Sequence, residues 1–362
     1  MDAAQIGGAP AVTLRAQDPP LDRPAFTEAV VLPGRGMMLL QARLRLPSGR
    51  TLDALFTPPD AADQLAGGPE DFAGNRSFAF GGAILAPYAN RIRGRAAPSA
   101  REIEAEVAGE TVRLPRNWGG KAPGAEQYAM HGLILDTAVP YEQPAPDTLR
   151  GRLEAGDFGG RWPSRTELAF QWRLAGGGLE LSVTARNVGD APLPIGLGWH
   201  PYFSLAGGDR RQARLRLAAD RRVEVNDYDE VLPTGRLLEV AGSAYDFGGP
   251  SGAPLGDLYL DDCFTGLRRE DGRTVVEVLD PAGGLGLRIA SPSPDVRAVQ
   301  VYAPPDKDFV VVEPQFNLAD PYGAVWPPGT DTGMALTPPG GSVSYDVRVD
   351  AFAVGTRISP DG

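Results

Sequence analysis

The sequence predicts an all-β protein, a large antiparallel β-sandwich with two sheets packed face to face. Three observations predict it. Apolar and polar residues alternate with period two along many short stretches. The 46 glycines and 35 prolines among 362 residues punctuate those stretches, well above the roughly 12% of average usage and below the ~25–30% of low-complexity disorder. Candidate helical stretches are broken by Gly or Pro within about two turns, so no long amphipathic helix forms.

The strands follow in chain order. LLQARLRL (39–46) is the first, then EIEAEV (102–107) and TVRL (111–114). TELAFQWRL (166–174) alternates most cleanly, with Leu168, Phe170, Trp172 and Leu174 on one face and Ala169, Gln171 and Arg173 on the other. LELSVTARN (179–187) does the same with Leu179, Leu181, Val183 and Ala185, and the intervening AGGG supplies a turn, so the two read as a hairpin. Further strands fall at ARLRLAA (213–219), TVVEVLD (274–280), LGLRIA (285–290), AVQVYA (298–303), FVVVEP (309–314) and SVSYDVRVDAF (342–352), separated by breaks such as PAGG and TPPGG. This many half-buried strands need two large facing sheets to cover their apolar sides. No pattern recurs with a period of about 20–50 residues, which argues against a propeller or solenoid.

The expected organisation is a poorly ordered lead over residues 1–25, one β-sandwich domain over 26–355 and a short tail over 356–362. Residues 58–76 and 118–130 read as long loops of the kind that frame sites. Net charge is −11 and no basic block is long enough to track a phosphate backbone, which excludes nucleic acid as a partner. The arginine-rich stretch at 209–222 reads as a solvated strand face. Cys263 is the only cysteine, so there is no intramolecular disulfide. The amino terminus lacks the basic and apolar regions of a secretory signal, and no apolar run has membrane-spanning length. The expectation is a cytoplasmic monomer or homodimer with no membrane partner.

Polar groups concentrate in five places: APYANRIRGR (86–95), MHG (130–132), GWHPYF (198–203), LDDCF (260–264) and VVVEPQ (310–315). Asn90 and Arg91 offer forked donors and an acceptor suited to sugar hydroxyls or a carboxylate, although the same dipeptide often marks a turn. The chain has two histidines, His131 and His200. A lone histidine is more often a satisfied core residue than a functional one. His200 has a stronger claim, because Trp199, Tyr202 and Phe203 surround it with aromatic surface and Pro201 stiffens the segment. Glu313 follows the apolar run from Phe309 to Val312. It is either a base whose pKa burial would raise or an exposed carboxylate at a strand end.

In order and rough spacing these phrases resemble the aldose 1-epimerases, also called galactose mutarotases. The likeness covers about residues 30–352 and is most specific from Trp162 to Leu205, ending in GWHPYF. It implies a large antiparallel β-sandwich, sometimes called a supersandwich, and agrees with the fold read from alternation. It implies that His200 is the general acid and Glu313 the general base. Asn90, Arg91, His131 and Asp261 would bind hydroxyls of a free aldose, with no cofactor and no metal. Such a pair fits the chemistry, since opening a hemiacetal removes a proton from the anomeric hydroxyl and delivers one to the ring oxygen.

The chain departs from the family pattern in places. Arg93, Gly94, Arg95 and Ala96 follow NRI where an aromatic is usual, and Ala303, Pro304 and Pro305 stand where the galactose-active branch carries a glutamine. The resemblance then implies one hydroxyl contact fewer. Leu133 to Val139 holds no basic residue, which argues against a phosphorylated sugar. Three other readings stay open on the sequence: a sugar-binding relative without catalysis, a metal enzyme using His131, His200 and a carboxylate, and a glycoside hydrolase or lyase using paired carboxylates such as Asp261 and Asp262.

Overall fold

The computed structural model describes residues 5–120 and 125–355. Strand is its dominant element. Two antiparallel sheets dominate, one of nine strands and one of eleven, with smaller sheets beside them. The eleven-stranded sheet carries the polar clusters. Its strands in chain order are β1 (Val12–Arg15), β2 (Ala25–Leu32), β3 (Met38–Arg45), β4 (Gly82–Leu85), β5 (Gly198–Ser204), β6 (Ala219–Val225), β7 (Pro233–Glu239), β8 (Leu260–Leu267), β9 (Ala298–Ala303) and β10 (Phe309–Gln315). They lie in the spatial order β7-β6-β8-β9-β10-β5-β4-β3-β2-β1, and the short strand Thr51–Asp53 also pairs with β3.

The nine-stranded sheet contains the hairpin read from alternation. Thr166–Ala175 pairs with Gly178–Asn187 in continuous register, and the turn consists of Gly176 and Gly177. Both turn residues have positive φ, 57° and 83°, the conformation a two-residue hairpin turn demands and glycine adopts without strain. Leu168, Phe170, Trp172 and Leu174 are buried, as are Leu179, Leu181, Val183 and Ala185. These faces pack against the eleven-stranded sheet. Trp172 meets Trp199 edge-to-face with ring centres 5.5 Å apart, and the Tyr345 hydroxyl donates to the Pro314 carbonyl at 2.6 Å. The core therefore lies between the sheets, and the opposite face of the eleven-stranded sheet is free to carry a site.

Three sequence expectations need correction. The first 25 residues are not a featureless lead: Gln5–Ile6, Ala9–Pro10 and Val12–Arg15 are strands. Ile6, Val12 and Leu14 are buried there, and Leu14 pairs with Ala29 of β2, so a short alternation sufficed to dock the segment. Residues 118–130 are not one open loop either, because Trp118–Gly119 pairs with Gln127–Met130 across a connection outside the described residues. The stretch 209–222 is more than a solvated face. Arg210 is wholly buried and donates to the carbonyls of Leu255, Gly256, Leu258 and Ala303. Residues 58–76 contain one short helix, Ala61–Gln64, and the start of a kinked 3₁₀ segment, Pro69–Phe78. The tail at 356–362 lies outside the described residues. Among the described residues no helix is long and apolar enough to cross a membrane.

Candidate active site

The antiparallel register of β9, β10 and β5 assembles the centre of the site. Gln300 pairs with Glu313. Gly198 pairs with Gln315 and Tyr202 with Val311, which leaves His200 opposite Glu313. Side chains directly across from one another share a face, so Gln300, Glu313 and His200 form a row of three polar groups. Asp261 on β8 pairs with Tyr302, two residues beyond Gln300 and on the same face. Glu313 is 1% exposed, which settles its surroundings in favour of burial over an exposed strand end.

A second wall comes from the chain around residues 90 and 131. Met130 pairs with Arg91, and the His131 backbone N–H donates to the Asn90 carbonyl at 2.8 Å. Asn90 and His131 both occupy the left-handed region, with φ of 60° and 62°, a strained state that side chains other than glycine keep only when their surroundings impose it. Gly132 follows with φ of 89°, and a Cβ there would lie 2.2 Å from the Ala86 carbonyl oxygen. The HG pair is thus fixed by geometry, since only glycine lets the chain turn this close to residue 86.

Phe78 closes a third side. It ends the 3₁₀ segment, which a buried bidentate ion pair anchors: Arg35 donates to both oxygens of Asp71 at 2.8 Å and to Ser77 Oγ at 3.0 Å. The Phe78 ring sits edge-on to His131 with centres 4.8 Å apart, and its carbonyl accepts from the Tyr202 hydroxyl at 2.8 Å.

Two polar assemblies result. In the first, Asn90 Nδ2 donates to Gln300 Oε1 at 3.0 Å and Gln300 Nε2 donates to Asp261 Oδ1 at 2.6 Å. Arg91 closes the ring by donating to Asn90 Oδ1 at 2.9 Å and lying 3.5 Å from Asp261 Oδ2. In the second, His200 Nε2 lies 3.4 Å from Glu313 Oε1, and the His131 and His200 rings meet edge-on at 4.8 Å. Both ring nitrogens of His131, Nδ1 of His200 and Oε2 of Glu313 are buried without a hydrogen-bond partner. Buried polar atoms in native folds are nearly always paired, so four orphans in one place mark where a polar ligand would bond. The residues of both assemblies line one cavity of about 470 Å³.

Burial governs the protonation of the pair. It pushes the Glu313 carboxyl well above its usual range, and the Asp261 charge adds to this while Arg91 opposes it. Burial likewise drives His200 down to about 3, with the Arg91 charge contributing in the same direction. His131 is lowered by burial and by the neighbouring His200 and Arg91. Asp261 is raised by burial against the pull of Arg91 and Gln300. Burial therefore favours the neutral form of both members of the pair, a protonated Glu313 beside an uncharged His200.

All six residues singled out from sequence, Asn90, Arg91, His131, His200, Asp261 and Glu313, line this cavity. Asp262 does not. It is fully buried, accepts from Arg222 at 2.8 Å and from the Tyr228 hydroxyl at 3.0 Å, and so does not pair with Asp261 as two hydrolytic carboxylates would. The structure does bring His131, His200 and Glu313 together, with one ligand atom of each within 4.8 Å of the others. That donor set suits a divalent transition cation. Sequence reasoning missed Gln300, although a polar residue inside the apolar run AVQVYA was the available signal. It also missed Phe78, whose segment is anchored through Asp71 by Arg35, distant in sequence.

Fold and cavity together describe a double-sheet protein with a buried histidine–glutamate pair in a polar pocket walled partly by aromatic rings. The family model for aldose 1-epimerase matches residues 54–334, and the chain belongs to that family. Among curated relatives it is similar to an aldose 1-epimerase of Escherichia coli K12, 29% identical over 229 residues, covering 60% of this chain and 56% of that protein. It is also similar to a galactose mutarotase of Rattus norvegicus, 27% identical over 173 residues, covering 47% and 45%. The chain spans about half the length of these curated relatives. Of solved structures, a GalM/aldose epimerase homologue from C. elegans superimposes with a TM-score of 0.70 at 16% identity, over 95% of this chain and 99% of that one. A galactose mutarotase-like protein from Clostridium acetobutylicum gives 0.68 at 17% identity, over 91% and 93%. At such identities the likeness establishes a galactose mutarotase-like β-sandwich fold.

Proposed function

We propose that the protein is an aldose 1-epimerase that interconverts the α and β anomers of a free, unphosphorylated aldose. The observation that carries this reading is the buried His200–Glu313 pair, 3.4 Å apart, with an orphaned atom on each partner. Glu313 takes the proton of the anomeric hydroxyl as His200 delivers one to the ring oxygen. The C1–O5 bond breaks and C1 becomes an aldehyde carbon. Rotation about C1–C2 presents the other face of the aldehyde, and the ring recloses as both protons return. No net proton is gained or lost, which suits a site holding one shared proton.

The reactive arrangement is a Glu313 carboxylate beside a His200 imidazolium. Burial favours the neutral arrangement, so hydrogen bonds from the sugar must draw the proton toward His200. The ring of Asn90, Gln300, Asp261 and Arg91 is already closed and would hold hydroxyls without reorganising. His131, with both nitrogens unpaired, would bond the sugar beside His200.

A metal-dependent reaction is the second reading, favoured by the clustering of His131, His200 and Glu313. One experiment separates them. The decay of optical rotation is followed in fresh α-anomer solutions of glucose, galactose, xylose and arabinose, with protein treated with EDTA. Acceleration over buffer is expected. Activity lost to EDTA and restored by zinc would support the metal reading, and no acceleration for any sugar with or without metal would leave a binding protein.

A further inference from the structure

The chain that carries Glu313 meets the opposite wall of the cavity after its strand ends. Beyond Gln315 it continues as Phe316, Asn317, Leu318, Ala319 and Asp320, all buried, and bonds to the segment 89–93. The Asn317 Oδ1 accepts from the Ala89 N–H at 3.1 Å, and its Nδ2 donates to the Ala89 carbonyl at 2.8 Å. One side-chain amide thus bonds both backbone groups of Ala89, as a neighbouring strand would. Three residues on, the Asp320 N–H donates to the Arg91 carbonyl at 2.6 Å, and Asp320 Oδ1 accepts from the Arg93 N–H at 3.0 Å.

Asn90 lies between these two clamps. Its φ of 60° breaks the extended course of the chain, so a regular ladder cannot run through it. Side chains supply the bonds that a strand partner would have made on either side. Neither Asn317 nor Asp320 lines the cavity. The fold makes room for both. A Cβ at Gly196 would lie 2.0 Å from Asn317 Oδ1, and a Cβ at Gly323 would lie 2.0 Å from Asp320 Oδ2. Neither glycine has a positive φ, so each stands there for the space it leaves. Gln315 Nε2 donates to the Asn317 carbonyl at 2.7 Å, and Trp326 Nε1 donates to the Asp320 carbonyl at 2.9 Å. Taking an amide and a carboxyl group out of water is costly, and both are spent on the backbone that bears Asn90 and Arg91.

We propose that Asn317 and Asp320 are positioning residues that fix Asn90 and Arg91 opposite Glu313, so that one continuous segment, 313–320, carries the base and sets the hydroxyl-binding wall it faces. The inference rests on the aldose 1-epimerase reading. Neither side chain touches the sugar. Asn90 and Arg91 belong to the closed ring with Gln300 and Asp261, and a shift of their backbone opens that ring.

Asp320→Ala and Asn317→Ala test the clamps, with turnover by polarimetry, binding by calorimetry and Tm measured for each, on glucose, galactose, xylose and arabinose. Asp320→Ala removes one hydrogen bond and leaves the backbone N–H at 320 in place, so it is the milder variant and carries the test if Asn317→Ala does not fold. KM and Kd are expected to rise about tenfold, with kcat changed less than about threefold. Asp320→Asn keeps the acceptor for Arg93 and tolerates the left-handed backbone, and should restore the KM of the unsubstituted protein. Val183→Ala, buried in the nine-stranded sheet, lowers Tm at a distance and should leave KM unmoved. Combining Asp320→Ala with Arg91→Met separates positioning from bulk stability: a residue that acts through Arg91 adds little to KM once the guanidinium is gone, whereas an independent one multiplies it. Multiplying effects, an unmoved KM in the single variants, Asp320→Asn behaving as Asp320→Ala, or an equal KM rise in Val183→Ala would overturn the proposal. Kd following the expected pattern without turnover of any sugar would uphold the clamps and sink the epimerase reading. Absence of any sugar binding would sink both.

Discussion

Replacing Glu313 with glutamine separates a catalytic carboxyl from a structural one, because the two roles predict stability changes of opposite sign. The side chain is 1% exposed, its Oε2 has no partner, and burial raises its pKa well above 4.5. In the unfolded chain the group ionises near 4.5. Holding it protonated in the fold at pH 7 then costs at most ~1.36 kcal/mol for each pH unit above that value, or roughly 3 kcal/mol. Glutamine has the same shape and no charge to lose. Part of the gain is offset where its amide meets His200, leaving about 1–2 kcal/mol, or a rise in Tm of about 1–3 °C for a chain of this length. The sign can be followed with pH. A carboxyl with a raised folded pKa weakens the fold as pH climbs above 4.5 and no further beyond the folded pKa. The difference between Glu313→Gln and the unsubstituted protein should shift in the variant's favour from pH 4 toward pH 7, as read by calorimetry. Mutarotation should meanwhile fall by ~10²–10⁴-fold, the usual worth of a positioned base. A lower Tm, a difference independent of pH, or activity within tenfold would refute the assignment.

Two further outcomes follow from the same geometry. His200→Asn should lose ~10²-fold or more in rate by polarimetry, and because burial holds His200 near 3, kcat/KM of the unsubstituted enzyme should stay level between about pH 5 and 6.5 where an exposed histidine would titrate; an unchanged rate in the variant reassigns the acid. Gln300→Leu strands the Asn90 amide and removes a 2.6 Å bond to Asp261, so KM should rise about tenfold or more with a smaller change in kcat, and a purely structural role would show instead as a lower Tm with KM unmoved.

Much of this architecture is legible one strand at a time. Leu168 to Leu174 and Leu179 to Ala185 announce their buried faces by alternation alone, because each belongs to a sheet covered on one side. The site's central strands do not. Phe309 to Gln315 is buried throughout, and a continuous apolar run gives no period from which to tell that Glu313 points into a cavity. Gln300 was hidden for the same reason. The pairing that sets it beside Glu313 is a fact of register between strands, and no local signal encodes register across the sheet. His131 and Asn90 are legible as residue types, but neither their left-handed backbone nor the approach of Gly132 to residue 86 is revealed by spacing. The protonation of His200 is not legible in sequence, because the depth of a side chain is set by the whole assembly. The amino-terminal strands were overlooked because three apolar residues are a faint pattern until a neighbouring strand offers them an edge.

His200, Gln300, Asp261 and Glu313 all project from hydrogen-bonded strands in the body of one sheet, whereas Tyr228, Tyr259 and Trp118 stand at or beyond strand ends. On the proposed reading, proton transfer falls to the sheet, while the mouth of the cavity belongs to connections with a different tolerance for change. A library confined to the connections around residues 118, 228 and 259 would reshape the mouth of the cavity while His200 and Glu313 keep the spacing the sheet imposes. Insertion into β9 or β10, by contrast, would slip one polar residue past another and erase the row altogether. Diversity in this scaffold belongs at its rim.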